Sequence, residues 1–373
     1  MANDLSVVLP KLLAQGLMAL RQQAVMPRLV NRGYEELAGE KGSTVTVPVP
    51  SAITVQDVTP GPTPPSTADV APTQVQIAMT RWKEAPFYLT DKDILECMNG
   101  TIPMQASEAV KAIANEVDSY LLGLYTQIYG FVGTPGSTPF ATDTTAATQA
   151  RAVLARQLAD PDPRNFVIDP DAEGNALNLR AFQDASWRGD AQGVVKGQIG
   201  EKFGALWVMD QNVPTHTTGA AASYLINNGA GYAAGIKTVT IDTGTGAWVA
   251  GDIVTFAGVT GTYAVQSSVG GATATSITFE PGLAGTVADN AAITKKGSHV
   301  VNLAFHRDAF ALATRPLESS TMGLGIFQSA VDPVSKLALR LEISREFKRT
   351  RFSYDILYGA QVVRPQFGCR IAG

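Results

Sequence analysis

The chain has 373 residues, of which 45% are hydrophobic and 17% charged, with a formal net charge of −4 at pH 7. This length holds two or three domains with real cores. The mildly acidic balance argues against general nucleic-acid binding, which needs basic patches to neutralise phosphates. A charge fraction below the roughly 25% of ordinary soluble domains suits a protein that buries surface against copies of itself, or a Gly- and Ala-rich β protein.

The N-terminus carries Asp4 and Lys11 where a signal peptide would be basic and then apolar, so it reads as a helix. Pro10 suits a first helical turn, and Leu13, Leu17, Leu20 and Ala24 share one face. The helix is expected to reach about Asn31, with Pro27 as a kink or an end. A hairpin follows. Val45-Thr46-Val47-Pro48-Val49 and Thr73-Gln74-Val75-Gln76-Ile77-Ala78-Met79 alternate with strand period around a tip, Pro60-Gly61-Pro62-Thr63-Pro64-Pro65. Between Gly42 and Thr80 the only charged side chains are Asp57 and Asp69. Two such strands are marginal alone in water, so the hairpin is expected to gain its order from another molecule. Val45, Val47, Val49, Asp57, Val75, Ile77, Met79 and Arg81 are therefore candidate intersubunit contacts.

Thr90 precedes a short helical pattern, Asp91 to Leu95. The clearest element is a helix over about 103–129. Val110, Ile113, Val117, Leu121, Leu124 and Ile128 recur at spacings of three and four, after a Thr101 cap and Pro103. At 1.5 Å per residue it would be roughly 40 Å long. Gly123 inside it is either a close packing contact or a point where the helix bends. Thr144 or Asp143 caps a third helix that buries Ala147, Ala150, Leu154 and Leu158. Phe166 to Ile168 and Leu206 to Met209 read as buried strands around the turn-rich stretch 193–200.

Composition shifts at Gly219. The next 80 residues hold 14 of the 35 glycines and seven charged side chains. Short β-patterned runs at 236–241, 252–256, 262–266, 276–279 and 291–294 predict a small barrel or sandwich, inserted at about 219–298. Val300 to Phe305 is a strand, and His306 to Leu312 is expected to open a helix. From Lys336 to Arg370 the pattern is strand-like. Leu337, Leu339, Leu341 and Ile343 alternate with polar residues, and a charged stretch precedes a second run, Phe352 to Val363.

Sites of chemistry are sparse. His216, His299 and His306 lie in no metal spacing, and no nucleophile elbow or P-loop is present. Gly323 to Gln328 starts like a dinucleotide turn but lacks its third glycine and a preceding strand. Asp169 to Gly174 resembles half a calcium loop, but the twelfth position is Arg180. Two cysteines, Cys97 and Cys369, make no disulfide framework or zinc site and read as thiols of a reducing compartment. No run of 18 apolar residues indicates a membrane span. The basic cluster containing Arg345, Arg349 and Arg351 is flanked by acids, which suits intersubunit salt bridging or a solvated face. No catalytic residue, metal ligand or cofactor is assigned.

Taken in order, four stretches resemble the tailed-phage major capsid (coat) proteins of the Johnson fold, the Hong Kong phage capsid fold, in their podovirus-type form with an insertion domain. They are Lys41 to Pro48; Lys196 to Gly200 with Phe203 to Leu206; Leu303 to Phe310; and Asp355 to Ala360. The resemblance implies an α+β protein. It divides into an N-terminal arm (1–41), an extended loop (42–87), a peripheral domain (88–159 and 331–373) with spine helix 103–129, an axial domain (160–218 and 299–330) and an inserted β-domain (219–298). It further implies self-assembly as pentamers and hexamers into an icosahedral virion shell around double-stranded DNA, built in the bacterial host cytoplasm. The implied partners are further copies, a scaffolding protein, a portal protein and a decoration protein. No sequence-specific DNA contact, membrane, enzyme activity or cofactor is implied. Some members cross-link an extended-loop lysine to a neighbour, but here no lysine lies between Lys41 and Lys83. The competing expectations are an encapsulin-like cargo shell, a β-rich surface adhesin and, last, an enzyme.

Overall fold

The computed structural model describes residues 24–34, 44–50, 53, 55, 57, 60, 72–92, 101–183, 197, 199–317, 325–331 and 337–373. The helices are α1 (Met26–Leu29), α2 (Thr101–Gly123), α3 (Thr145–Arg156), α4 (Pro170–Asn178) and α5 (Arg180–Gln183). The first ten strands are β1 (Thr44–Val49), β2 (Thr73–Ala78), β3 (Arg81–Thr90), β4 (Gly130–Gly133), β5 (Arg164–Ile168), β6 (Gly200–Lys202), β7 (Ala205–Met209), β8 (Thr215–His216), β9 (Leu225–Ile226) and β10 (Thr238–Asp242). The rest are β11 (Ile253–Phe256), β12 (Tyr263–Val269), β13 (Ser276–Glu280), β14 (Ile293–Lys295), β15 (His299–His306), β16 (Phe310–Arg315), β17 (Gly325–Val331), β18 (Ala338–Glu346), β19 (Arg349–Val362) and β20 (Gly368–Ala372).

The chain divides into two compact units, one containing Asn31–Val110 and Phe310–Val363, the other containing residues 24–30, Lys111–Ala309 and Arg364–Gly373. In the first unit the long strand β19 organises an open antiparallel sheet. β18 and β16 pair with it, β17 pairs with β18, and β3 pairs with β19 over ten residues. The alternation read from the sequence sets its faces. Leu339, Leu341 and Ile343 of β18 and Phe352, Tyr354 and Ile356 of β19 are all buried, and Phe87 stacks on Phe352 with ring centroids 5.1 Å apart.

In the second unit a seven-stranded mixed sheet runs β4-β20-β15-β5-β7-β6, with β8 also on β15. Phe140, Phe166, Phe182 and Phe203 pack around Trp207, the closest ring 4.7 Å away. A second sheet, β14-β11-β12-β13-β10-β9, comes from the glycine-rich stretch. Its two ends meet. Leu225 bridges Ala292, Ile226 donates to the Ala291 carbonyl and Ile293 to that of Tyr224. The sheet so closed surrounds Val239, Ile241, Val254, Phe256, Tyr263, Val265, Ile277 and Phe279.

Several expectations are corrected. Residues 306–312 form no helix: β15 ends at His306, Arg307–Ala309 make one 3-10 turn, and β16 begins at Phe310. Phe310 to Ala313 is a continuous buried run, which a fully buried strand and a buried helix share. β19 supplies the partner that decides for the strand. Helix α2 ends at Gly123, and Leu124–Gln127 continues as a 3-10 turn. Leu158 lies beyond the end of α3 with φ 59° and is 84% exposed rather than buried. Pro27 opens α1 and does not end a helix. The N-terminal helix expected before residue 24, the helix after Lys92 and most of 193–200 fall outside the described residues.

Candidate functional site

Strands β1 and β2 pair in register from Thr44 with Ala78 to Val49 with Thr73. Their alternation points one row of side chains inward. Val45, Val47, Ile77 and Met79 are buried against Ala311, Ala313 and Val363 of the same unit, with Val49 packed at the margin. Gly359 of β19 allows the close approach, since a Cβ there would press on the Ala78 carbonyl oxygen. The expectation that these apolar positions wait for another molecule is therefore corrected for Val45, Val47, Ile77 and Met79. The chain's own β16 and β19 region covers them. Val75 is half-buried, and Asp57 and Arg81 are exposed, Arg81 already with an interaction inside the chain.

The exposed apolar residues of the hairpin lie further along, where the sequence reading named none. Ile53 is 78% exposed and Val55 is 99% exposed. Their spacing of two was visible in the sequence, but it carries no sign of which residues find a core.

The open sheet of the same unit has one polar face. On it Arg340 donates from Nε to Asp355 Oδ1 at 3.0 Å, and Trp82 donates from Nε1 to Asp355 Oδ2 at 2.9 Å. The Arg340–Asp355 pair is nearly buried, so each charge depends on the other. Arg351 pairs with Glu84 at 2.7 Å, Arg345 with Asp91 at 2.7 Å, and Arg349 with Glu346. The arginines singled out for intersubunit bridging thus all have carboxylate partners in their own chain. Beside them, at the β18–β19 turn, Phe347 is 86% exposed and Lys348 takes a positive φ of 57°. Exposed aromatics within a charged rim have the anatomy of an interface.

The second unit contains a buried polar cluster. His216 Nε2 lies 3.0 Å from Asp252 Oδ1, and His216 Nδ1 lies 2.9 Å from the Tyr125 hydroxyl. The remaining capacity of Asp252 is filled by the backbone N–H groups of Gly219 and Val249. Arg370, fully buried, donates to the carbonyls of Gly251 and Thr126 and sits over the Tyr125 ring. Burial lowers the Arg370 pKa to about 9 and that of His299 to about 4. The trio has the order of a proton relay, but His216 and Asp252 are 1% and 0% exposed, and a relay without access to solvent has no substrate to act on. What it does is tie β8, β20, the loop before β11 and the turn after α2 together. Sequence reading assigned His216 no partner because its acid is 36 residues away and its tyrosine 91.

Asp118 of α2 is also buried, and its two carboxylate oxygens accept from Val25 N and Met26 N at 3.1 Å each. Desolvation raises its pKa to about 7, assisted by the charge of Asp210 and opposed by those two hydrogen bonds. Asp169, half of the suspected calcium loop, caps α4 by accepting from Asp171 N and Ala172 N. No group of three or more potential ligand side chains stands together among the described residues. Gly123 has nothing within 4 Å of where a Cβ would lie, so it is no close packing contact, and it marks the passage from α-helix to 3-10 turn.

No protein-family model and no curated protein matches this sequence. Solved structures do. A chain of Mycobacterium phage Che8 is 18% identical and superposes with a TM-score of 0.52 over 94% of this chain and 91% of its own. The capsid of cyanophage P-SCSP1u is 11% identical, with a TM-score of 0.48 over 94% and 88%. A virus-like particle from Pyrococcus furiosus is 8% identical, with a TM-score of 0.48 over 97% and 98%. The first of these shows a mixed α/β fold shared with a phage protein along nearly the whole length of both chains.

Proposed function

We propose that this chain is the major capsid protein of a tailed phage, built on the Johnson fold, and that its pentamers and hexamers close an icosahedral shell around double-stranded DNA. The observation that carries this reading is the shared fold with the phage Che8 chain across nearly the whole sequence. The sequence motifs, low charge and the exposed Ile53 and Val55 support it independently.

In this reading 1–41 is the N-terminal arm, 42–87 the extended loop, 88–159 with 331–373 the peripheral domain, and 160–218 with 299–330 the axial domain. The closed sheet within 219–298 is the insertion domain, with a core of its own supporting that role. Hydrophobic residues lost from the intersubunit list by burial are replaced by Ile53 and Val55, joined by Val75, Asp57, Arg81 and the arginines of β18 and β19. A subunit that meets slightly different neighbours at five- and six-fold positions needs contacts that tolerate small rotations, and an exposed, extended loop supplies them. A separate scaffolding protein, a portal protein and a decoration protein are the expected partners, with assembly in the host cytoplasm. Without an extended-loop lysine, shell strength comes from noncovalent contacts or a decoration protein.

Negative-stain microscopy of the chain coexpressed with its neighbouring genes tests the proposal. Closed shells with icosahedral outlines are expected. A monodisperse monomer in the presence of a scaffold candidate overturns it.

A further inference from the structure

A cleft of about 540 Å³ opens within the second unit. One wall comes from β10, β12 and β13 of the closed sheet, the other from the segment between α2 and β4 and from the turn before β20. The two walls are fastened to each other. Thr262 Oγ1 donates to the Tyr129 carbonyl at 2.7 Å, and Gln266 Nε2 to that of Thr126 at 3.4 Å. The cleft is therefore formed before anything enters it, which removes part of the cost of binding.

The lining carries no net charge. Lys237 and Glu280 are its only ionic side chains, and they pair at 2.7 Å. A phosphate or other charged ligand finds no free partner there. What the lining offers is neutral hydrogen bonding. Gln127, Gln266 and Gln366 each present a carboxamide, which both donates and accepts. Burial, and then the Glu280 charge, push the Tyr129 pKa up to about 12, so its hydroxyl stays neutral and does both as well. The side chains of Gln127, Gln366 and Tyr129 have no hydrogen-bond partner among the described residues. Pro281, Pro365 and the Tyr129 ring add apolar surface. Beside Lys237 and Glu280, the hydroxyls of Thr238 and Thr278 lie 3.0 Å apart on paired strands. An extended peptide is recognised through a free sheet edge or an aromatic-lined groove. Here β10, β12 and β13 each have a neighbour on both sides, and the lining holds a single aromatic ring.

We propose that this cleft binds a neutral saccharide, whose hydroxyl groups meet the three carboxamides and the Tyr129 hydroxyl and whose C–H face packs on the prolines and the Tyr129 ring. A pyranose has the matching chemistry: hydroxyls that donate and accept, no charge, and an apolar face. The volume falls within the roughly 300–1,000 Å³ of small-molecule sites. This activity is additional to shell formation and does not depend on it.

Saturation-transfer NMR of the full-length protein with maltose, cellobiose and lactose in millimolar excess tests it. Transfer to at least one of these sugars is expected. It should fall several-fold in Gln127→Ala/Gln366→Ala, with a parental unfolding midpoint. It should fall by a smaller factor in Tyr129→Phe, which keeps the ring and keeps the test readable if the double variant is unstable. No transfer to any of the three sugars overturns the proposal. Transfer unchanged in both variants places the sugar elsewhere and also overturns it. Transfer to triproline alone assigns the cleft to an extended peptide, with the same consequence. Each of these results leaves the shell reading standing, since microscopy tests that separately.

Discussion

Two β-structures of this protein solve the same problem in opposite ways. The sheet of β9 to β14 closes on itself through the Leu225–Ala292 bridge, so its strand edges are paired inside the chain and its apolar side chains face a common interior. The sheet around β19 stays open among the described residues, with β17 paired to β18 alone, an exposed Phe347 at its turn and a hairpin that buries Val45, Val47 and Ile77 while Ile53 and Val55 stand exposed. A closed sheet is complete as a monomer. The open one carries the exposed Phe347, Ile53 and Val55, and in the proposed shell these place the intersubunit contacts in the first unit.

The contrast breaks most severely at the core of the closed sheet. Phe279→Ala removes a fully buried ring that packs on Phe256 and Tyr263. Thermal or denaturant unfolding of the chain should show a loss of about 3–5 kcal/mol. In the open sheet the most costly single change should be Asp355→Ala, which removes the carboxylate that Arg340 and the Trp82 N–H share. A loss of about 2–4 kcal/mol is expected, and Arg340→Met/Asp355→Leu should recover part of it in a double-mutant cycle.

The pH dependence should separate the two regions, because two of the shifted groups with the clearest effect on stability lie in the unit that contains the closed sheet. Asp118 has a folded pKa near 7, above its unfolded value, so the folded state holds the extra proton. Its stabilisation is complete below about pH 4 and is lost as pH rises through about 7, at up to about 1.4 kcal/mol per pH unit. Asp118→Asn should flatten that limb in a pH series of unfolding midpoints. His299, buried neutral with a folded pKa near 4, has the opposite sign. Its contribution is present above its unfolded value of about 6.5 and is lost as pH falls toward 4. His299→Gln should flatten the acid limb. Equal slopes in the variants and the parent would show that neither group is the titrating one.

Smaller effects are expected at the exposed loop. Ile53→Asp with Val55→Asp touches no core, so monomer stability should stay within about 0.5 kcal/mol, while the yield of closed shells in sedimentation falls several-fold. Smallest of all, Gly123→Ala fills open space at a right-handed helical φ of −61° and should stabilise by about 0.4–1 kcal/mol. Its effect on shell expansion decides whether flexibility at this point matters. Unchanged assembly and expansion would discard the bend.

Periodicity alone determined much of this protein. The runs at 236–241, 252–256, 262–266, 276–279 and 291–294 became β10 to β14 because short alternating segments between glycine turns have few alternatives to pairing with one another. The alternation of Leu337 to Ile343 fixed the buried face of β18, and the three- and four-residue spacing after Thr101 fixed α2, since both reflect the side-chain direction of a single element. What the tertiary structure decided was each choice that depends on a partner distant in sequence. Phe310 to Ala313 became a strand because β19 lies beside it. The hairpin valines became core because Ala311, Ala313 and Val363 cover them. His216, Asp252 and Tyr125 became one cluster across 127 residues of chain. A residue's own pattern states which way it points, but only the folded chain brings up the surface that it meets.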